Sequence, residues 1–194
     1  MRARPVFSWG GCSVCSRFIV LLPAVISMLF PFMASAESED VRVNQVKAAF
    51  VLNVARFVTW PDSAFAAEDA PMVLCYYRSQ PLGGALDTIA NKTVSGRSLE
   101  IRQVRRLSET KSCQILLISR ARLNAYMKEA GAEPVGPMLT IADRTGIAAA
   151  AVKTEEAPRG IMVSLVRDGS RIGFEINLSL SRDAGLGMSS QLLK

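Results

Sequence analysis

Few residues in this chain have the types and spacing that chemistry requires. Asp143, Glu155 and Glu156 are carboxylates lying between apolar runs. Acid–base catalysis needs two such groups held at a fixed separation in a cleft, and no pattern around them does that, so they read as a solvated loop. Gly83-Gly84 follows an apolar run and precedes a helical one, the place where an α/β protein binds phosphate. The full G-x-G-x-x-G spacing and a Gly-Lys-Ser/Thr loop are both absent, so a plain turn is the simpler reading. Arg97, Arg102, Arg105 and Arg106 would make the exposed face of a strand basic; Arg102, Arg105 and Arg106 could receive an acidic partner, or could discourage pairing at an exposed strand edge. Histidine is missing altogether, which excludes Ser-His-Asp and Cys-His catalysis and His-ligated zinc. We therefore expect no catalytic residue, no metal site and no cofactor.

The four cysteines depend on compartment. Arg2, Arg4 and Arg17 precede a 16-residue apolar run, Phe18–Met33, and Ala34-Ser35-Ala36 follows it. That is the layout of a secretory signal peptide cut before Glu37. The run contains Pro23 and Pro31 and is short for a membrane span, which needs about 20 residues. An uncleaved anchor is the alternative. Cys12-Ser13-Val14-Cys15 has redox-motif spacing but falls in the basic leader. Removing the leader takes away three arginines and no acid, so the net charge drops from +6 to +3. A charge that small, on an exported chain, argues against nucleic-acid binding. Cys75 and Cys113 remain, and an even pair in an oxidising compartment reads first as a disulfide. A redox switch or two free thiols are the other readings. If their strands were parallel neighbours in simple register, Cys75 would lie beside residue 116, and a three-residue offset is about 10 Å, beyond disulfide reach. The register must be staggered, or the chain before Gln114 must curl across.

The elements that position these residues alternate. Val43, Val46, Phe50, Val54 and Phe57 share one face of a helix, widened by Val51, Ala55 and Val58. Arg42, Gln45 and Arg56 form a polar stripe with Asn53 on its border, where it reads as a half-buried amide satisfied by a neighbouring loop. Asp40 could cap this helix, and Trp60-Pro61 ends it. A helix so apolar must be buried on more than one side. Met72–Tyr77, Gln114–Ser119 and Met138–Ala142 are short apolar runs that read as buried strands. Lys92–Arg106 is a further strand with a basic exposed face. Pro81–Ala90 reads as a helix weakened by its glycines, and Arg120–Ala130 as an amphipathic helix stopped by Gly131. Asp143–Arg159 breaks the rhythm and reads as a long loop, a common place for function. Ile161–Val166 and Ile172–Asn177 flank Asp168-Gly169, a hairpin signal. Asn177 or Ser179 caps a short helix ending before Gly185, and Ser189–Lys194 begins a last helical turn. The pattern predicts a single α/β domain over residues 37–194, with a mixed, mostly parallel sheet flanked by helices and a C-terminal β-hairpin.

Two stretches carry a family likeness. Lys47, Ala48, Ala49, Phe50, Asn53, Phe57, Trp60 and Pro61 fill a K-A-A-F-x-x-N-x-x-x-F-x-x-W-P pattern. Phe174-Glu175-Ile176-Asn177, Ala184-Gly185-Leu186 and Ser189-Ser190-Gln191-Leu192-Leu193 fill F-E-I-N…A-G-L…S-S-x-L-L. Both resemble the YfiR family of periplasmic regulators, at the two ends of the mature chain. The resemblance implies a non-enzymatic, dimer-forming α/β protein. It implies repression of an inner-membrane diguanylate cyclase through that enzyme's periplasmic sensor domain, lowering cyclic di-GMP and restraining biofilm formation. An outer-membrane lipoprotein is a second implied partner. Cys75 and Cys113 match the first of two disulfides that family members can carry. The second would fall in Gly146–Pro158, which has no cysteine. A periplasmic small-ligand-binding module of another signalling system is the alternative function, motivated by Gly83-Gly84. The loop Asp143–Arg159 is the first choice for a partner-binding surface.

Overall fold

A computed structural model describes residues 39–130, 136–146 and 159–193. The predicted signal peptide, with Cys12 and Cys15, lies outside the described residues. So do the stop at Gly131 and residues 147–158 of the predicted loop. Among the described residues no helix is long and apolar enough to cross a membrane.

Apolar runs build the centre of the fold. Strands β2 (Met72–Tyr77), β4 (Arg97–Val104), β5 (Ile115–Ile118), β6 (Leu139–Asp143) and β7 (Val163–Asp168) run parallel. β3 (Thr93–Val94) and β8 (Arg171–Ile176) pair antiparallel at the two edges. The order is β3-β4-β2-β5-β6-β7-β8, so the predicted mixed, mostly parallel sheet with its C-terminal hairpin is present. Alternate residues of each run go to opposite faces. Met72, Leu74, Ile115, Leu117, Leu139 and Ile141 enter one core, and Val73, Cys75, Tyr77, Leu116, Ile118 and Ala142 the other. This is why the central strands are almost wholly apolar, with the buried Thr140 an exception: both faces are covered.

Helix α1 (Glu39–Arg56) and a 3-10 segment, Leu82–Thr88, cover the first face. Helix α2 (Arg120–Glu129) and the turn Leu107–Ser112 lie on the second. A short helix α3 (Leu178–Asp183) follows β8, and a two-residue ladder joins β1 (Val58–Thr59) to β9 (Gly187–Met188). That ladder corrects the predicted helix end. The helix stops at Arg56, four residues before Trp60, because Val58 and Thr59 are drawn into strand pairing with Met188 and Gly187. Asp40 lies inside the first turn of α1 and does not cap it.

The wheel is corrected too. The face turned to the sheet is Lys47, Ala48, Val51, Leu52, Val54 and Ala55. Val46 is 45% exposed, and Phe50 and Phe57 only half-buried. Small residues at positions 48 and 55 let α1 sit close to the sheet, and the larger residues of the predicted stripe flank that contact. Pro81–Ala90 is not an α-helix. Leu82, Gly83 and Gly84 all have positive φ (62°, 50° and 86°), which turns the chain sharply before Ala85 and Leu86 enter the core. The predicted strand Lys92–Arg106 is a tight hairpin of β3 and β4, with Ser95 and Gly96 at positive φ.

Cys75 and Cys113 form a disulfide with Cα atoms 5.8 Å apart. The register is the simple one, Cys75 opposite Leu116. The second of the two expected routes therefore applies. The turn Leu107–Ser112 carries the chain over the second face, and the Cys113 amide donates to Thr110 O at 2.9 Å. Cys113 then lies over Cys75 in the second core. The bridge spans 38 residues, and in the chain-entropy picture a loop of that length stabilises by about 3–4 kcal/mol. Replacing both cysteines by serine is expected to cost about that much in urea unfolding. Intact-mass analysis after alkylation should find no free thiol in the oxidised mature protein.

Candidate functional site

The parallel strands put their C-terminal ends on one rim, where open α/β sheets carry their sites. β6 delivers Asp143 to that rim. Its Oδ1 accepts from the Thr145 amide (3.0 Å) and the Thr145 hydroxyl (2.7 Å). Its Oδ2 accepts from Lys47 Nζ of α1 at 3.0 Å, with side chains only 10% and 13% exposed. Lys47 stands on the sheet-facing side of α1, so its ammonium can reach the strand end only by crossing apolar packing. The next residue, Arg144, is 1% exposed and its amide donates to Leu165 O. Both charges of the pair are used in holding α1 to the sheet. Asp143 is thus no solvated loop carboxylate.

A second knot ties the same rim on the opposite face. Glu129, at the end of α2, accepts from the Tyr77 hydroxyl, from Arg78 Nη2 (3.0 Å) and from the Leu107 amide (2.8 Å). Arg78 also stacks 4.9 Å from the Tyr77 ring centroid. The Tyr77 hydroxyl and the Leu107 amide, with Arg78 beside them, hold the Glu129 carboxyl below its ordinary range. Burial, then the carboxylate of Glu129, pushes the Tyr77 hydroxyl up. Burial alone pushes Tyr126 up to about 12. Tyr126 packs edge-on against Tyr77 at 6.1 Å and donates to Gly160 O.

The signature residues converge on the first face. Phe50 of α1 meets Phe174 of β8 edge-on at 5.9 Å. Asn177 caps α3, its Oδ1 accepting from the Leu180 amide at 3.0 Å. Trp60 is buried and its indole donates to Gln114 O. Phe57 O accepts from the Ser189 amide. Pro61 leads into the 3-10 turn Asp62–Ala64. Asn53 and Glu175 are exposed, which corrects the half-buried amide expected at Asn53. The first and last motifs of the chain thus build one layer, and their residues act chiefly through packing, capping and hydrogen bonding.

The remaining candidates separate. The groove at Gly83-Gly84 measures about 240 Å³ and is lined by Val41, Asn44, Gln45, Leu82, Ala85 and Thr88. That is below the roughly 300–1,000 Å³ of typical ligand sites, and none of these side chains is a cation for a phosphate. Arg97 is not on an exposed basic face. It stacks 3.8 Å from the Phe65 ring centroid and donates to Ala70 O, clamping the connector before β2. Arg102 pairs with Glu100, and Arg106 with Glu109. Among the described residues no group of three His, Cys, Asp or Glu could hold a metal ion. Of the predicted partner loop, residues 143–146 and 159 are described; Glu155 and Glu156 are not. Sequence reasoning missed Lys47–Asp143, Trp60–Gln114 and the Glu129 knot. One signal existed: Lys47 is the sole charged residue on the face of α1 that holds Ala48, Val51, Leu52 and Ala55.

Comparison with known proteins adds one match. A family model described as YfiR/HmsC-like matches residues 44–194. No curated protein matches the chain.

Replacing Lys47 by Met leaves Asp143 buried without its counter-charge, and a cost of about 3–5 kcal/mol is expected. Lys47→Met with Asp143→Asn should recover part of it, measured as a double-mutant cycle in urea. A single-variant loss below about 1 kcal/mol would show the pair to be solvent-screened. The Glu129 carboxyl is depressed in the folded state, so its contribution is present above its unfolded value near 4.5 and lost as pH falls through the folded one. Glu129→Gln should therefore lower stability at pH 7 and narrow the difference in urea midpoint between pH 7 and pH 3.

Proposed function

The chain belongs to the YfiR/HmsC-like family, and from that membership we propose that it is a periplasmic regulator of cyclic di-GMP signalling. In this reading it binds the extracytoplasmic sensor domain of an inner-membrane diguanylate cyclase and represses it. An outer-membrane lipoprotein competes for the regulator, and the regulator acts as a homodimer without enzymatic activity. The leader is removed before Glu37 during export.

The observation that carries the reading is the extent of the family match, residues 44–194, which takes in both signature stretches. The geometry is consistent with it. The buried Lys47–Asp143 pair, the Trp60–Gln114 bond and the disulfide are spent on rigidity. A binding protein that acts through its surface needs a rigid scaffold behind that surface.

Deleting the gene should raise cellular cyclic di-GMP. The mature protein, used as bait on detergent-solubilised membranes, should retain a membrane protein that carries a cyclase domain. Unchanged cyclic di-GMP together with an empty pull-down would overturn the proposal. Mass analysis of periplasmic protein should give an N-terminus at Glu37; retention of residues 1–36 would point to an anchor.

A further inference from the structure

The two edges of the seven-stranded sheet differ. Beyond β3, the outer edge of β4 carries Arg102 and Gln103, with Arg105 directly after the strand, the charged finish that discourages strand addition. β8 is charged only at Arg171 and Glu175, which are of opposite sign. It contains no proline or lysine, none of its six residues is buried, and among the described residues no strand lies beyond it.

Its backbone direction follows from the hairpin. Asp168 pairs with Arg171 around Gly169-Ser170, where Gly169 has φ +58°, the glycine-first pattern of a two-residue turn. The Asn177 amide donates inward to Met162 O. Hydrogen-bonding groups alternate along an antiparallel strand. Those of Arg171, Gly173 and Glu175 therefore point to β7, and those of Ile172, Phe174 and Ile176 point away from the sheet. Among the described residues nothing bonds that outward row.

The sequence of the strand is self-complementary. Arg171-Ile172-Gly173-Phe174-Glu175 reads cation, apolar, glycine, apolar, anion. Set antiparallel to itself about Gly173, it places Arg171 opposite Glu175 of the other copy, twice, and Ile172 opposite Phe174, twice. Ile172 and Phe174 then form the hydrogen-bonded pairs, because their groups point outward. Gly173 and Arg171–Glu175 fall at the non-hydrogen-bonded positions, where side chains approach most closely. A Cβ added at Gly173 would meet nothing within 4 Å in the single chain, so the face of the sheet above the centre of the pairing is clear. Arg171 and Glu175 are exposed and have no ion-pair partner among the described residues.

We propose that β8 is a self-pairing edge, on which a second copy of this chain adds its own β8 antiparallel about Gly173, joining the two sheets and closing two Arg171–Glu175 pairs. This deepens the homodimer of the proposed function and is independent of which cyclase is bound.

The test uses mature protein exported and processed in cells, studied by sedimentation velocity over a concentration series, with circular dichroism as the fold control. Arg171→Glu and Glu175→Arg should each weaken self-association about tenfold or more, since each sets like charges opposite one another twice. Mixing the two variants should restore it, because the mixed pair is complementary at both positions. Ile172→Pro, which removes an outward amide and no bond within the chain, should also abolish pairing. In the wild type, hydrogen exchange at Ile172, Phe174 and Ile176 should slow as concentration rises. A dimer unchanged in all three variants would overturn the β8 surface and leave the homodimer standing. Wild type that stays monomeric throughout would overturn both. Single variants that dissociate and are not rescued on mixing would overturn the register about Gly173.

Discussion

Gln114 is the residue through which the N-terminal rim of the sheet is held. Its amide donates to Val73 O, and its side-chain Oε1 accepts from the Val73 amide at 2.8 Å. Its Nε2 donates to Ala64 O, and its carbonyl accepts from both Leu139 and the Trp60 indole. One buried glutamine therefore joins β2, β5, β6 and the connector that follows α1. Buried amides are costly when unpaired, so every one of these contacts constrains the others. Cys113 stands next to it, and the disulfide to Cys75 ties the same corner covalently.

The opposite rim is held by charge. Lys47 and Asp143 join α1 to β6, and Glu129 joins α2 to β2 and the turn at Leu107. Helix α1 is thus strapped twice, by an ion pair near its middle and by Trp60 just beyond its C-terminus. The closing segment completes the layer through Phe174, Leu186 and Leu192, and through the β1–β9 ladder. The family signature falls on these contacts. Its residues mark a scaffold.

Much of this architecture was legible in order of hydrophobic runs. Met72–Tyr77, Gln114–Ser119 and Met138–Ala142 were readable as strands because a sheet covered on both faces needs apolar residues at nearly every position. The hairpin was readable from Asp168-Gly169; the short helix after it was readable from its two possible caps, Asn177 and Ser179, and the structure selects Asn177. Other features failed for definite reasons. The wheel weighted the largest apolar residues, whereas close packing of α1 selected small ones, Ala48 and Ala55. The helix end at Trp60-Pro61 was local reasoning, and the β1–β9 ladder is a contact across about 130 residues. Arg97 looked like a surface cation because its partners, the Phe65 ring and the carbonyls of Ala67 and Ala70, belong to a connector with no pattern of its own.

The sequence by itself determined the central strands and their order along the chain, the C-terminal hairpin, the α/β class, the candidate cysteine pair and the family. These depend on local periodicity and on residue identity, which a chain displays without folding. Only the tertiary structure decided that Cys113 reaches Cys75 despite an unfavourable register, that Lys47 is buried against Asp143, and that β8 is an edge strand whose outward backbone row has no partner among the described residues. Each of these is a meeting of side chains or backbone groups far apart in the chain. Their free energy depends on distance and burial, and neither exists until the sheet is assembled.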